Sequence, residues 1–83
     1  YIVGGYPRVW VDDRLDRAIG EAELLIVQDI FPSLLTARAN VVLAGATFNE
    51  REGSFVNHAG LVQAIRQATR PVGDARSDGR ILH

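Results

Sequence analysis

Two short segments carry the residue types that most readily meet a ligand. Tyr1-Ile2-Val3 is a β-rich run that stops at Gly4-Gly5. Paired glycines after a strand let the backbone turn tightly or approach a bound group closely. The apolar run Leu24 to Val27 is followed directly by Gln28-Asp29. A carboxylate at the carboxyl end of a buried parallel strand can hold a ribose or a base edge, and it can equally cap the segment that follows. Other candidates are weaker. Glu50 and Glu52 stand two apart beside Arg51, a spacing compatible with acid–base work but more typical of solvated charge. His58 has no Cys, Asp or Glu partner at ligand spacing, so it reads as a turn histidine rather than a metal ligand. Ser33, Ser54 and Ser77 lie in no nucleophile-elbow pattern, and neither a dinucleotide-binding glycine fingerprint nor a P-loop is present. Tyr6 and Trp10 flank the first turn and read as packing anchors.

The elements that must position these groups follow from pattern. Asp12 and Asp13 are N-cap residues, and Leu15, Ala18, Ile19 and Ala22 recur at helical spacing, which predicts a helix over 13–22, with Gly20 as a candidate terminator. Leu24 to Val27 and Val41 to Leu43 read as strands buried on both faces. Between them, Pro32-Ser33 opens a short helix over Leu34 to Arg38. Strand, helix, strand, short helix, strand predicts a parallel sheet with right-handed crossovers, whose ligand edge lies at Gly4-Gly5, Gln28-Asp29 and Ala44-Gly45. Beyond Ala46 the chain is more polar. Ser54 to Val56 reads as an edge strand and Asn57 to Gly60 as a turn. Leu61 to Arg66 is open: a returning strand, or a helix that places Leu61, Ile65 and Ala68 on one face. Residues 71–79 read as a loop, and Arg80 begins a further element.

Composition sets outer bounds. The 83 residues suffice for one small domain or part of one, and such a chain is marginal alone. With no cysteine there is no disulfide, thiolate catalysis or cysteine-ligated cluster within these residues. A net charge of −1 gives no electrostatic footprint for nucleic acid. No apolar run approaches the roughly 20 residues of a membrane span. An opening inside an apolar run, at Tyr1 rather than Met, predicts a chain that continues upstream. All nine cationic residues are arginine, and their scatter along the sequence reads as composition rather than as an anion site.

The stretch from Leu25 to Gln63 resembles the molybdopterin-oxidoreductase family. Gln28-Asp29, Thr36-Ala37, Ala39 to Ala44 and Glu50 to Gln63 follow, in order, that family's strand-end QD, its Thr-Ala helix, its ADVVLP strand and its E-x-x-G-T-F-x-N-x-E-G-R-x-Q segment. Gly4-Gly5-Tyr6-Pro7 is similar to its Gly-x-Asn-Pro turn, and the tail from Pro71 to Leu82 is similar to P-x-G-E-A-R-x-D-W-x-I-L. The resemblance implies a bis-molybdopterin guanine dinucleotide lying along the strand ends, lined here by Gly5, Gln28, Asp29 and Thr36. It also implies iron–sulfur clusters elsewhere in a parent chain. Departures count against a bound cofactor: Asn40 and Ala44 replace the Asp and Pro of ADVVLP, and Ala59 and Leu61 replace the Glu and Arg of the E-G-R step. Losing that arginine removes a charge-assisted bond worth roughly 1.5–3 kcal/mol.

These departures are more like the branch of large peripheral-arm subunits of NADH:quinone oxidoreductases, which keep the fold without the metal. The expectation is therefore a Rossmann-like α/β fragment, strand-helix-strand-short helix-strand followed by a hairpin or irregular segment, with residues 1–83 as one partial domain. It contains no catalytic residue or metal ligand and serves as a scaffold or vestigial cofactor domain in a respiratory oxidoreductase. Its expected partners are the rest of its own chain and other subunits of a respiratory complex, without nucleic acid and without membrane insertion, in the cytoplasm or at the inner face of the plasma membrane. Two alternatives stand beside it: the nucleotide-binding part of a molybdenum or tungsten enzyme such as a formate dehydrogenase, and a free-standing α/β binding module with no redox role. The last predicts cooperative folding of the isolated segment, which unpaired strand edges disfavour.

Overall fold

The structure is a computed structural model that describes residues 1–5 and 10–83. Tyr6 and Pro7, which belong to the expected first turn, lie outside the described residues. Contacts divide the chain into two units, Tyr1–Ala44 and Gly45–His83.

The first unit is a three-stranded parallel sheet of order β1-β2-β3, built from β1 (Ile2–Val3), β2 (Ile26–Asp29) and β3 (Val41–Ala44). Helix α1 (Asp13–Gly20) connects β1 to β2, and α2 (Leu34–Arg38) connects β2 to β3. Asp12 caps α1, its carboxylate accepting from the Leu15 amide at 2.7 Å. The helix stops at Gly20, two residues before the expected end, and its cap residue Glu21 is right-handed, so no left-handed glycine terminates it. Both helices press apolar side chains into one cluster: Ile19 from α1 and Leu35 from α2 meet Leu25 and Val27, with Ile2, Trp10, Leu15 and Ala39 at its margin. Trp10 thus acts as a packing anchor.

Register fixes what faces this cluster. Ile2 pairs with Val27, and Val27 with Val42. Parallel partners point to the same side, so Ile2, Val27, Asp29, Val42 and Ala44 share the helix face, while Val3, Gln28 and Leu43 share the other. β2 begins two residues later than its apolar run suggests, and Gln28 and Asp29 are its last two residues rather than the loop after it. The expectation of a buried β3 is not met. Val41 and Val42 are 41% and 49% exposed, because β3 is the sheet's edge and, among the described residues, neither of its faces is fully covered.

Asn40 explains how β3 is held. Its side-chain oxygen accepts the Leu25 amide at 2.8 Å, and its own amide donates to the Leu25 carbonyl at 2.9 Å. An acceptor at this position ties the start of β3 to the entry of β2, so exchanging Asp for Asn keeps the tie.

In the second unit, β4 (Gly53–Val56) and β5 (Val62–Ile65) form an antiparallel hairpin. Within the open stretch 61–66, Val62–Ile65 is therefore strand rather than helix. The side chain of Asn57 decides it, accepting the amides of Ala59 at 2.9 Å and Leu61 at 3.0 Å, while Gly60 takes a left-handed φ of 78° that closes the turn. A short helix, α3 (Asp78–Leu82), begins inside the stretch expected to be loop. The amide of Ala46 donates to the Arg76 carbonyl at 2.8 Å, and the amides of Ala68 and Thr69 donate to the Asn49 carbonyl at 2.8 and 3.0 Å. Among the described residues of this unit only Ala46 and Ala75 are buried apolar side chains, whereas Phe48 is 68% and Val72 77% exposed.

Candidate functional site

The expected ligand edge exists as a place in the fold: β1 ends at Gly4-Gly5 and β2 at Asp29, side by side. What the side chains do there is chiefly internal. Asp29 is 8% exposed. Its Oδ1 accepts the amides of Gly5 at 2.9 Å and Ile30 at 2.7 Å, with a longer contact to the Phe31 amide at 3.3 Å. One carboxylate thereby fastens the end of β1 to the turn leaving β2. Gly4 is required by the same arrangement, since a Cβ on it would come 2.2 Å from Oδ2 of Asp29. Gly5 has a φ of 109°, open to glycine alone at little cost, and that turn points its amide at the carboxylate.

Gln28 is 2% exposed on the opposite face of the sheet and accepts a hydrogen bond from the Tyr1 hydroxyl. Thr36 completes a capping box with Ser33. Its hydroxyl oxygen accepts the Ser33 amide at 2.7 Å and donates to the Ser33 carbonyl at 2.9 Å, and its amide donates to Ser33 Oγ at 3.3 Å. Of the four expected site residues, the structure therefore brings Gly5 and Asp29 into direct contact and places Thr36 near Asp29 along one cleft. Gln28 faces away from that cleft.

The cleft runs between the carboxyl ends of β2 and β3. It encloses about 220 Å³ and is walled by Ile30, Phe31, Pro32, Val42 and Ala44, with Asp29 and Thr36 as its polar members. Ligand pockets for molecules of drug size usually enclose roughly 300–1,000 Å³. A pyrophosphate-linked guanine dinucleotide needs donors for its phosphates and polar partners for its base. Here the amide of Gly5, the carboxylate of Asp29 and the hydroxyl of Thr36 already bind one another or nearby backbone, and the walls are apolar. The described residues of this edge do not fit that group by themselves.

The carboxylate pair and the histidine lie in the second unit. Glu50 accepts the Thr47 amide at 2.9 Å and so closes its own turn, while Glu52 is exposed. His58 is exposed in the hairpin turn. Among the described residues no group of three or more His, Cys, Asp or Glu side chains could hold a metal ion, and no helix is long and apolar enough to cross a membrane.

Comparison with known proteins gives this edge its context. The family model for molybdopterin oxidoreductase matches residues 1–83. The chain is 44% identical over 80 residues to a G-type subunit of the NADH-quinone oxidoreductase of Rhizobium meliloti, covering 94% of this chain and 9% of that protein. It is 41% identical over 70 residues to the alpha chain of the NADPH-Fe(3+) oxidoreductase of Geobacter sulfurreducens, covering 84% of this chain and 8% of the relative. It is 38% identical over 84 residues to the alpha chain of the F420-dependent formate dehydrogenase of Methanocaldococcus jannaschii, covering 99% and 12% respectively. The chain thus spans about a tenth of the length of these curated relatives. No solved structure matches it significantly. A parallel sheet ending in Gly4-Gly5 and Gln28-Asp29, a capped Thr36 helix and a family match running from the first residue to the last place this chain in the molybdopterin oxidoreductase family.

Proposed function

We propose that this segment is a scaffolding, vestigial cofactor domain within the large subunit of an NADH:quinone oxidoreductase-type complex. Electron transfer would be carried by iron–sulfur clusters elsewhere in the parent chain. The observation that carries the reading is the internal use of the strand-end polar groups: the Asp29 carboxylate serves the Gly5, Ile30 and Phe31 amides, and Thr36 serves Ser33. Leu61 at the position of the family's E-G-R arginine supports it, as does the 44% identity to the NADH-quinone oxidoreductase relative. The sparse core of residues 45–83, with Phe48, Leu61 and Val72 exposed, supports a unit that relies on further protein for cover, whether from its own chain or from other subunits.

A second reading, the nucleotide-binding part of a molybdenum or tungsten enzyme, is favoured by one observation: the formate dehydrogenase relative aligns over 99% of this chain. The two readings diverge for Thr36→Val in the intact complex. Losing the hydroxyl that accepts the Ser33 amide removes one half of the capping box and is expected to weaken α2 by about 1 kcal/mol. Under the scaffold reading, electron transfer per assembled complex stays unchanged. If turnover falls about tenfold or more while assembly and cluster content are intact, Thr36 contacts a working cofactor and the scaffold reading fails.

A further inference from the structure

The arginines that look scattered in sequence are gathered by the fold. Arg51, Arg70, Arg76 and Arg80 line one cleft of about 530 Å³ in the second unit, with Glu52 and Ser77 also on its wall. The chain as a whole carries a net charge of −1, so four arginines on the wall of one concavity are a local excess. Arg51 is ion-paired with Asp78, which orients it and offsets its charge. The Nη1 of Arg76 donates to the Ala75 carbonyl at 3.1 Å, which holds that side chain at the cleft while its other donors stay available. Neither Arg70 nor Arg80 takes part in an ion pair among the described residues. After Glu52 and Asp78 are set against the four arginines, about two positive charges are left without a compensating partner in the cleft.

We propose that this cleft binds a small phosphate-bearing anion, gripped by Arg70, Arg76 and Arg80 with Arg51 fixed beside them. The volume lies within the range of small-molecule sites and the surface is concave, which suits a compact ligand better than a flat protein face. Guanidinium forks match pairs of phosphate oxygens bidentately, and a diphosphate group fits the excess charge. The site lies in the second unit and is independent of the reading of the strand-end edge.

The test is calorimetric titration of the intact parent protein with inorganic pyrophosphate at low, fixed ionic strength, with citrate and ADP as comparison anions. Saturable binding of one pyrophosphate per chain is expected, tighter than citrate. R70Q/R80Q should weaken it about tenfold, a discounted figure for exposed cations. Among the described residues these two side chains make no ion pair whose loss would unsettle the fold, and an unchanged circular dichroism spectrum checks this. ADP binding tighter than pyrophosphate identifies a nucleotide as the source of the diphosphate; equal binding identifies free diphosphate. Non-saturable uptake, citrate binding as tight as pyrophosphate, or an affinity indifferent to R70Q/R80Q overturns the proposal.

Discussion

Asp29→Ala is expected to loosen the β1–β2–α2 junction by roughly 3–5 kcal/mol, the range for breaking a buried charged hydrogen-bond centre. The carboxylate is 8% exposed and its Oδ1 accepts from Gly5, Ile30 and Phe31. Removing it leaves those amides to find water or remain unpaired, and an unpaired buried donor carries its full desolvation penalty. The readout is amide hydrogen exchange in the intact protein, where the β2 and Gly5 amides should lose protection while the β4–β5 hairpin keeps its own. Gly4→Ala should also destabilise, by about 1–3 kcal/mol, because its new Cβ meets a carboxylate held in place by backbone amides. The two changes are coupled: with Asp29 already replaced by Ala, the atom that Gly4→Ala would strike is gone, so the second substitution should cost little. Additive effects would mean that the carboxylate is not what demands glycine at position 4. A ligand-binding role alone predicts no such coupling.

The second large effect is Leu35→Ala, expected at roughly 2–5 kcal/mol, the usual span for truncating a fully buried leucine. Leu35 is 0% exposed and shares the core cluster with Ile19, Leu25 and Val27. It is the buried residue of α2, a helix of only five residues with little stability of its own. Losing its anchor should release α2 and with it the turn from Asp29, so exchange should speed up across 29–39 more than in α1. Protection falling equally in α1 and α2 would show that the cluster opens as one body.

Much of the first unit is legible in sequence because its signals are local. Asp12 before Leu15 and Ser33 before Thr36 are caps that need only three residues to form, and α2 appears over the expected residues. The alternation of strand and helix gives the parallel sheet for the same reason. What is not legible depends on chain that is distant in sequence. An apolar Val41-Val42-Leu43 reads as buried, yet burial requires a neighbouring layer, and at the sheet edge none covers it fully. Residues 61–66 carry a helical face in Leu61 and Ile65, and the hairpin wins through Asn57 and Gly60, whose turn brings Val56 against Val62.

At the candidate site, residue types suggest a ligand edge, and the fold shows their polar atoms spent on one another. Nothing local distinguishes an aspartate that holds a ribose from one that holds a glycine amide; the distinction is made by Gly5, 24 residues away. The arginines are the converse case. Positions 51, 70, 76 and 80 have no periodicity, and they meet because Asn49 takes the amides of Ala68 and Thr69 while Ala46 bonds to Arg76.

A member of the molybdopterin oxidoreductase family that keeps the strand-end architecture as a scaffold, rather than as a cofactor site, should purify without the cofactor. Quantifying molybdenum, tungsten and acid-released guanine nucleotide in the intact purified protein tests this most directly. The scaffold reading predicts metal far below one atom per chain and no guanine nucleotide, alongside iron from clusters elsewhere in the parent chain. One molybdenum or tungsten per chain together with released guanine nucleotide would contradict it.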